Sequence, residues 1–208
     1  MLTLAIDTAT AACTVALFDG ELLIAATGER VGRGHAERLV PMIATLPGGG
    51  RADHILVDVG PGSFTGIRVG IAAARGLALG WGASVGGYSS LACVAAAAFA
   101  RDATLAPPLA VVLEGGHGEV FMQRFLPDPL RADSDLASLP PELARRAVEG
   151  LSAMGDGLRW LQSDDPRSAP GGALPEAVDA LRLPLALRSL PPRPLYGRAP
   201  DAKPQLPR

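Results

Sequence analysis

Asp7 closes a short apolar run, Leu2-Thr3-Leu4-Ala5-Ile6, and is followed by the hydroxyls of Thr8 and Thr10. A carboxylate at the end of a buried strand can meet magnesium, and neighbouring hydroxyls can approach phosphate. The same carboxylate can instead accept hydrogen bonds from the amides of its own turn. These residue types serve either role. A second segment, Gly60-Pro61-Gly62-Ser63-Phe64-Thr65-Gly66, separates another apolar run from a helical pattern. Its glycines could turn free N–H groups towards an anion at a helix start. Asp7, Thr8, Gly62 and Ser63 are therefore the candidate nucleotide or anion residues. The spacing is not that of a dinucleotide fingerprint, and no Lys-Ser/Thr follows as in a P-loop. On residue types alone the segment reads better as a tight turn that lets the helix approach the sheet.

The remaining reactive side chains are scattered. His35, His54 and His117 form neither an H-x-x-x-H nor an H-E-x-x-H pair, so no helical metal site is encoded. His35 reads as a surface group at a helix start, and His117 as a solvated loop histidine beside Glu119. Glu114 and Glu119 could pair across a hairpin or simply be exposed. No serine sits in a G-x-S-x-G elbow. Lys203 is the sole lysine, which removes Walker-type and Schiff-base lysine chemistry from the rest of the chain. Two cysteines, Cys13 and Cys93, are too few for a disulfide framework and fit reduced thiols. No catalytic constellation and no metal site emerges.

The elements that must position these residues are legible from periodicity. Thr3–Thr8, Cys13–Asp19 and Glu21–Ala26 read as strands, the last two joined by the tight turn Asp19-Gly20. His35–Leu46 carries one helical stripe of Ala36, Leu39, Val40, Ile43 and Leu46, with Pro41 expected to kink it. His54–Val59 is a fourth strand, and Ser63 or Thr65 can cap a helix running to about Leu79. Ala83–Gly86 is a fifth strand, and Ser89 or Ser90 caps an alanine-rich helix to Ala100. The order βββαβαβα is ribonuclease-H-like. Beyond it, Leu109–Glu114 and Glu119–Leu126 read as a strand pair, Pro141–Glu149 and Glu176–Leu183 as helices, and the chain from Leu190 as extended or poorly ordered. Residues 1–103 are assigned to a first lobe and 104–208 to a smaller second lobe with a Pro-rich tail.

Composition narrows the function further. With 208 residues, 48% hydrophobic and only 4% aromatic, the chain must build its core from small aliphatic side chains. A net charge of −2 is wrong for a chain that holds RNA by itself, because phosphate neutralisation supplies most of that affinity. The N-terminal run has no basic region or cleavage site and reads as a strand, not a signal peptide. Leu91–Ala100 is too short to span a bilayer. A cytoplasmic protein without membrane contact is expected. The helix from Gly66 is apolar or small around most of its circumference, whereas a helix on one sheet needs only one apolar face. At about 100° per residue, Ile67, Ile71, Ala74 and Ala78 form a bulky flank for the core. Val69, Ala72, Ala73 and Gly76 form a flatter flank that a partner can approach closely. With Leu39, Met42 and Ile43 of the preceding helix they make up the expected partner interface.

Taken in order, several segments resemble one family. They are Ala5-Ile6-Asp7-Thr8-Ala9-Thr10, His35-Ala36-Glu37-Arg38-Leu39-Val40-Pro41-Met42, and Gly60-Pro61-Gly62-Ser63-Phe64-Thr65-Gly66-Ile67-Arg68-Val69-Gly70. Gly118-Glu119-Val120-Phe121 and Pro194-Leu195-Tyr196 with Arg198-Ala199-Pro200-Asp201-Ala202 extend the likeness into the second half. The set is similar to the TsaB (YeaZ) family of tRNA threonylcarbamoyladenosine biosynthesis, in the glycoprotease-like branch of the actin-like ATPase fold. The resemblance implies an α/β, two-lobed actin-like fold whose second lobe is reduced. It implies a noncatalytic subunit that pairs with a catalytic paralogue, TsaD, and with the small ATPase TsaE. That assembly transfers threonylcarbamoyl to the adenosine beside the anticodon of ANN-decoding tRNAs, so tRNA is met only through the complex. No cofactor is required of this chain, ATP or ADP being admitted at the interface of the complex, and a homodimer of the free chain is admitted too. The alternatives are a phosphotransferase or ATPase of the same fold using Asp7, or a peptidase. Three departures stand out from the family pattern: a short Leu46–Asp53 connection, Glu114-Gly115-Gly116-His117 in place of an Asp-Ala-Arg-type run, and Gly197 in place of a leucine.

Overall fold

The computed structural model describes residues 1–161 and 172–197. Arg198–Ala202 and Lys203 lie outside the described residues. The first sheet runs β1 (Leu2–Asp7), β2 (Ala12–Asp19), β3 (Leu22–Arg30), β4 (His54–Asp58) and β5 (Ser84–Tyr88). Their spatial order is β3-β2-β1-β4-β5. β1 is antiparallel to β2 and parallel to β4, and β4 is parallel to β5, the ribonuclease-H-like arrangement expected. Central position explains why Leu4, Ala5 and Ile6 are all apolar and fully buried: β1 is covered on both faces. Helices α1 (His35–Ala44) and α2 (Phe64–Trp81) cover one face, with Leu39, Ile43, Ile67, Ile71 and Ala74 in a core shared with Leu4, Ile6 and Val57.

The second sheet is built from β6 (Leu109–Gly116), β7 (Glu119–Leu126), β8 (Arg131–Ala132), β9 (Ala137–Leu139) and β10 (Ser152–Met154). It repeats the first in outline. β6 and β7 form the leading hairpin, β8 and β9 take the outer place on β7, and β10 lies parallel to β6 after the short helix α4 (Pro141–Val148). No counterpart of β5 follows β10 among the described residues. The second lobe is a reduced copy of the first.

Helix α3 (Ser90–Arg101) sits between the two sheets, every residue from Ser90 to Ala98 being buried. A helix apolar all round is one enclosed by protein. Its alanines let both sheets close on it, joining Ala5, Ala16 and Leu56 of the first lobe to Leu109, Val111 and Phe125 of the second in one core.

Two expectations about elements need correction. Glu176–Leu183 is not an α-helix but a 3₁₀ segment, Ala177–Arg182. Pro184 disfavours helical backbone at Leu183, so the segment has no room for further turns. It is fixed instead by Asp179, whose buried carboxylate accepts from Arg101 and Arg182, each at 2.7 Å. His35 is not a surface group: it is 6% exposed, and its Nε2 lies 2.9 Å from the Thr10 carbonyl and 3.2 Å from that of Ala12. Two carbonyls can only accept, so Nε2 carries the proton and ties the start of α1 to the β1–β2 turn.

Candidate functional site

The parallel register that pairs Ile6 with Val57 brings Asp7 level with Asp58 at the C-terminal ends of the two central strands. Both carboxyls are fully buried. Asp7 Oδ1 accepts from the Ala9 amide at 3.1 Å, a turn of its own making, and the Tyr88 hydroxyl lies 3.4 Å from Oδ2. Asp58 Oδ1 accepts from the Gly60 amide at 2.6 Å and the Ser90 hydroxyl at 2.7 Å. Its Oδ2 is buried without a partner, and a protonated Asp7 beside it is the group able to supply one. Burial first, and then the negative charge of Asp58, push the Asp7 pKa well above the usual carboxylate range. Burial raises Asp58 to about 6, even though its hydrogen bonds favour the ionised form. Burial thus favours the protonated form in both carboxyls, and the two titrate as a pair.

The glycine segment closes over this pair. A Cβ on Gly66 would overlap the Thr8 carbonyl oxygen, and one on Gly62 would overlap that of Ala9. The Thr8 hydroxyl donates to the Gly66 carbonyl at 2.8 Å, and the Ser63 amide donates to the Ala9 carbonyl at 2.6 Å. Ser63 caps α2, its hydroxyl accepting from the Gly66 amide at 3.2 Å. The segment is thus the close-packing turn that its glycines allow, and no side chain larger than hydrogen fits at two of its positions.

Between the lobes lies a cleft of about 840 Å³. Gly62, Ser63 and Arg68 line it from the first lobe, and His117, Phe121 and Arg159 from the second. Asp7 and Thr8 do not reach it. This corrects their assignment to an anion site: both are sealed behind the packed turn, leaving only Gly62 and Ser63 on the cleft wall. The residues present do not fit a nucleotide held as in actin-like ATPases. Asp7 is buried away from the cleft, and the Thr8 hydroxyl and Ser63 amide are already bonded within the chain. Glu114 and Glu119 do not pair with each other: Glu114 meets Arg159, and Glu119 accepts from the Ser138 hydroxyl at 2.6 Å. His117 is exposed at the hairpin tip with φ 54°. Among the described residues no group of His, Cys, Asp and Glu could hold a metal ion.

The outer face of α2 is the second candidate surface. Leu79 is 88% exposed, Phe64 57%, and Ala72 and Gly76 are open to solvent, with nothing within 4 Å of a Cβ added to Gly76. Val40 of α1 is also exposed. Val69, Ala73 and Met42 are half-buried against the core. Leu39 and Ile43 are withdrawn from the expected interface, because they are buried beneath α1 and already packed in the core. A helix of ten residues has one apolar stripe, and here the sheet takes it. Leu79 and Val40 were missed. Leu79 follows Ala72 by seven residues and Gly76 by three, so helical spacing alone puts it on their face.

Topology and cleft define a two-lobed protein of the actin-like ATPase class. The family model described as TsaD, tRNA N6-adenosine threonylcarbamoyltransferase, matches residues 27–128. The chain is 36% identical over 158 residues to the tRNA threonylcarbamoyladenosine biosynthesis protein TsaB of Escherichia coli, covering 72% of this chain and 67% of that protein. It is 34% identical over 213 residues to an uncharacterized protein of Mycobacterium tuberculosis, covering 97% and 93%. Among solved structures, YeaZ from Pseudomonas aeruginosa superposes with a TM-score of 0.75 at 28% identity, over 94% of this chain and 99% of that one. The chain belongs to the TsaB (YeaZ) family.

Proposed function

We propose that this chain serves tRNA threonylcarbamoyladenosine biosynthesis as a noncatalytic subunit, pairing with TsaD, and with TsaE, through the outer face of α2. The family supports the pathway. The observation that carries the noncatalytic role is the sealed acid pair: the carboxyl that an ATPase of this fold would turn on magnesium is buried away from the cleft and bonded to its own turn. In this reading the chain itself holds no nucleotide, and any ATP or ADP belongs to the interface with its partners. A net charge of −2 supports tRNA contact through the complex instead of through this chain.

The small, exposed stretch of α2 around Ala72 and Gly76 supports docking by a partner helix at close range. Gly76→Leu tests it. Overpacking a tight interface costs roughly 1–3 kcal/mol, about a ten- to hundredfold loss of affinity for TsaD. The variant alone melts with the native chain, because its side chain enters open solvent. Normal TsaD binding by a well-folded Gly76→Leu variant places the interface elsewhere.

A further inference from the structure

The segment Leu190–Gly197 is held along the first lobe by two kinds of contact. Its backbone bonds to the first sheet at two places: at β5 the Gly87 amide donates to the Leu190 carbonyl at 2.7 Å and the Leu190 amide returns a bond of 2.9 Å, and just after β4 the Val59 carbonyl accepts from the Leu195 amide at 2.8 Å. A Cβ on Gly87 would overlap Val59 Cγ1 at 2.6 Å and crowd the carbonyl oxygens of Leu190 and Pro191, each at 3.1 Å, so glycine suits the close pairing. The second kind of contact comes from side chains of α2. Arg75 donates to the Pro192 carbonyl at 2.7 Å, and Arg68 donates to the Tyr196 hydroxyl at 3.1 Å. The Arg68 guanidinium also lies over the Phe64 ring, which stacks on Tyr196 at 6.0 Å. The end of the segment, Leu195–Gly197, forms one wall of the interlobe cleft, where a Cβ on Gly197 would overlap the Phe121 ring of the second lobe.

The positions of the two arginines give this arrangement its meaning. Arg68, Ala72, Arg75 and Leu79 are spaced i, i+4, i+7 and i+11, one exposed stripe of α2. The side chains that fasten the cleft wall are therefore on the face assigned to the partner. We infer that Leu190–Gly197 is a strap latched by Arg68 and Arg75, and that a partner presenting carboxylates to this stripe releases Tyr196 and frees the cleft wall. A carboxylate is a stronger acceptor for a guanidinium than the neutral carbonyl and phenol now holding it, so competition favours the partner. Backbone bonds at Leu190 keep the near end of the strap in place while the Tyr196 end lifts. The inference rests on the proposed partner face for its trigger, but the latch itself is a property of the isolated chain.

Amide hydrogen exchange on the full-length protein tests both parts. In an Arg68→Ala/Arg75→Ala variant, the Leu195 amide exchanges roughly tenfold faster or more, as expected from losing two solvent-exposed hydrogen bonds. Amides of the β1–β4 ladder keep their native rates. Unchanged exchange at Leu195 overturns the latch. In the wild-type chain bound to TsaD, the Leu195 amide likewise exchanges faster, and equal or slower exchange in a formed complex overturns the coupling. If size exclusion shows that no complex forms, the partner assignment falls, and the arginine variant alone decides the latch.

Discussion

The two lobes place a turn at the same topological point, after β1 in one and after β6 in the other, and treat it in opposite ways. After β1, Asp7 and Thr8 are fully buried beneath a glycine segment packed against their backbone. After β6, Gly116-His117-Gly118 is an exposed hairpin tip at the mouth of the cleft. The first turn has become core and the second has stayed open. Two turns at equivalent points of the topology can thus end as core or as surface, and the packing against them, more than their own residues, decides which.

The sharpest way to break this contrast is to add one methyl group to each turn. Gly66→Ala drives a Cβ into the Thr8 carbonyl, backbone against backbone, and should cost about 3 kcal/mol or more. That lowers Tm by roughly 10 °C for a chain of this size. Gly116→Ala meets no atom within 4 Å and pays only for its φ of 69°, about 1 kcal/mol. Similar Tm losses for the two variants would erase the distinction between the turns.

The acid pair sharpens the contrast through pH. Both carboxyls have folded pKa values above their ordinary 3.8, so the folded state binds more protons than the unfolded chain over that interval. The contribution of this pair to stability is therefore fully present below 3.8 and is lost as pH rises, through about 6 for Asp58 and in the same direction for Asp7. Asp58→Asn keeps an oxygen for Gly60 and Ser90 while removing one charge. It should flatten the decline in thermal stability between pH 4 and about 7. An unchanged slope would mean that the decline arises in other groups. At the open turn, Glu114→Gln removes only a part-exposed ion pair with Arg159, and thermal unfolding should register less than about 1 kcal/mol.

Much of the fold could be read from the chain. Continuous apolar runs marked β1 and β4, Ser63 or Thr65 marked the start of α2, with Ser63 proving to be the cap, and the run βββαβαβα was enough for the first sheet. Asp58 escaped notice for a particular reason: alone, it is one more Asp before a glycine turn. Its significance appears only when β1 and β4 are paired in parallel register, which sets it beside Asp7. His35 was misread because its two acceptors, Thr10 and Ala12, lie on a turn distant in sequence. Leu39 and Ile43 fit a partner face by type, yet α1 has one stripe and the sheet claims it. The strap was legible only as an extended or poorly ordered Pro-rich tail, since prolines forbid a helix but do not announce the extended pairing that Gly87 accepts.

The account turns on Asp7, and one measurement addresses it directly: tRNA threonylcarbamoylation reconstituted from TsaD, TsaE, threonylcarbamoyl adenylate and tRNA, with this chain as wild type or Asp7→Asn. A noncatalytic subunit with a buried, structural Asp7 predicts that modification requires the chain and that the well-folded variant supports it within about twofold, below half a kcal/mol of barrier. A loss of several orders of magnitude with the variant still folded and still bound to TsaD would contradict the account and make Asp7 a catalytic residue.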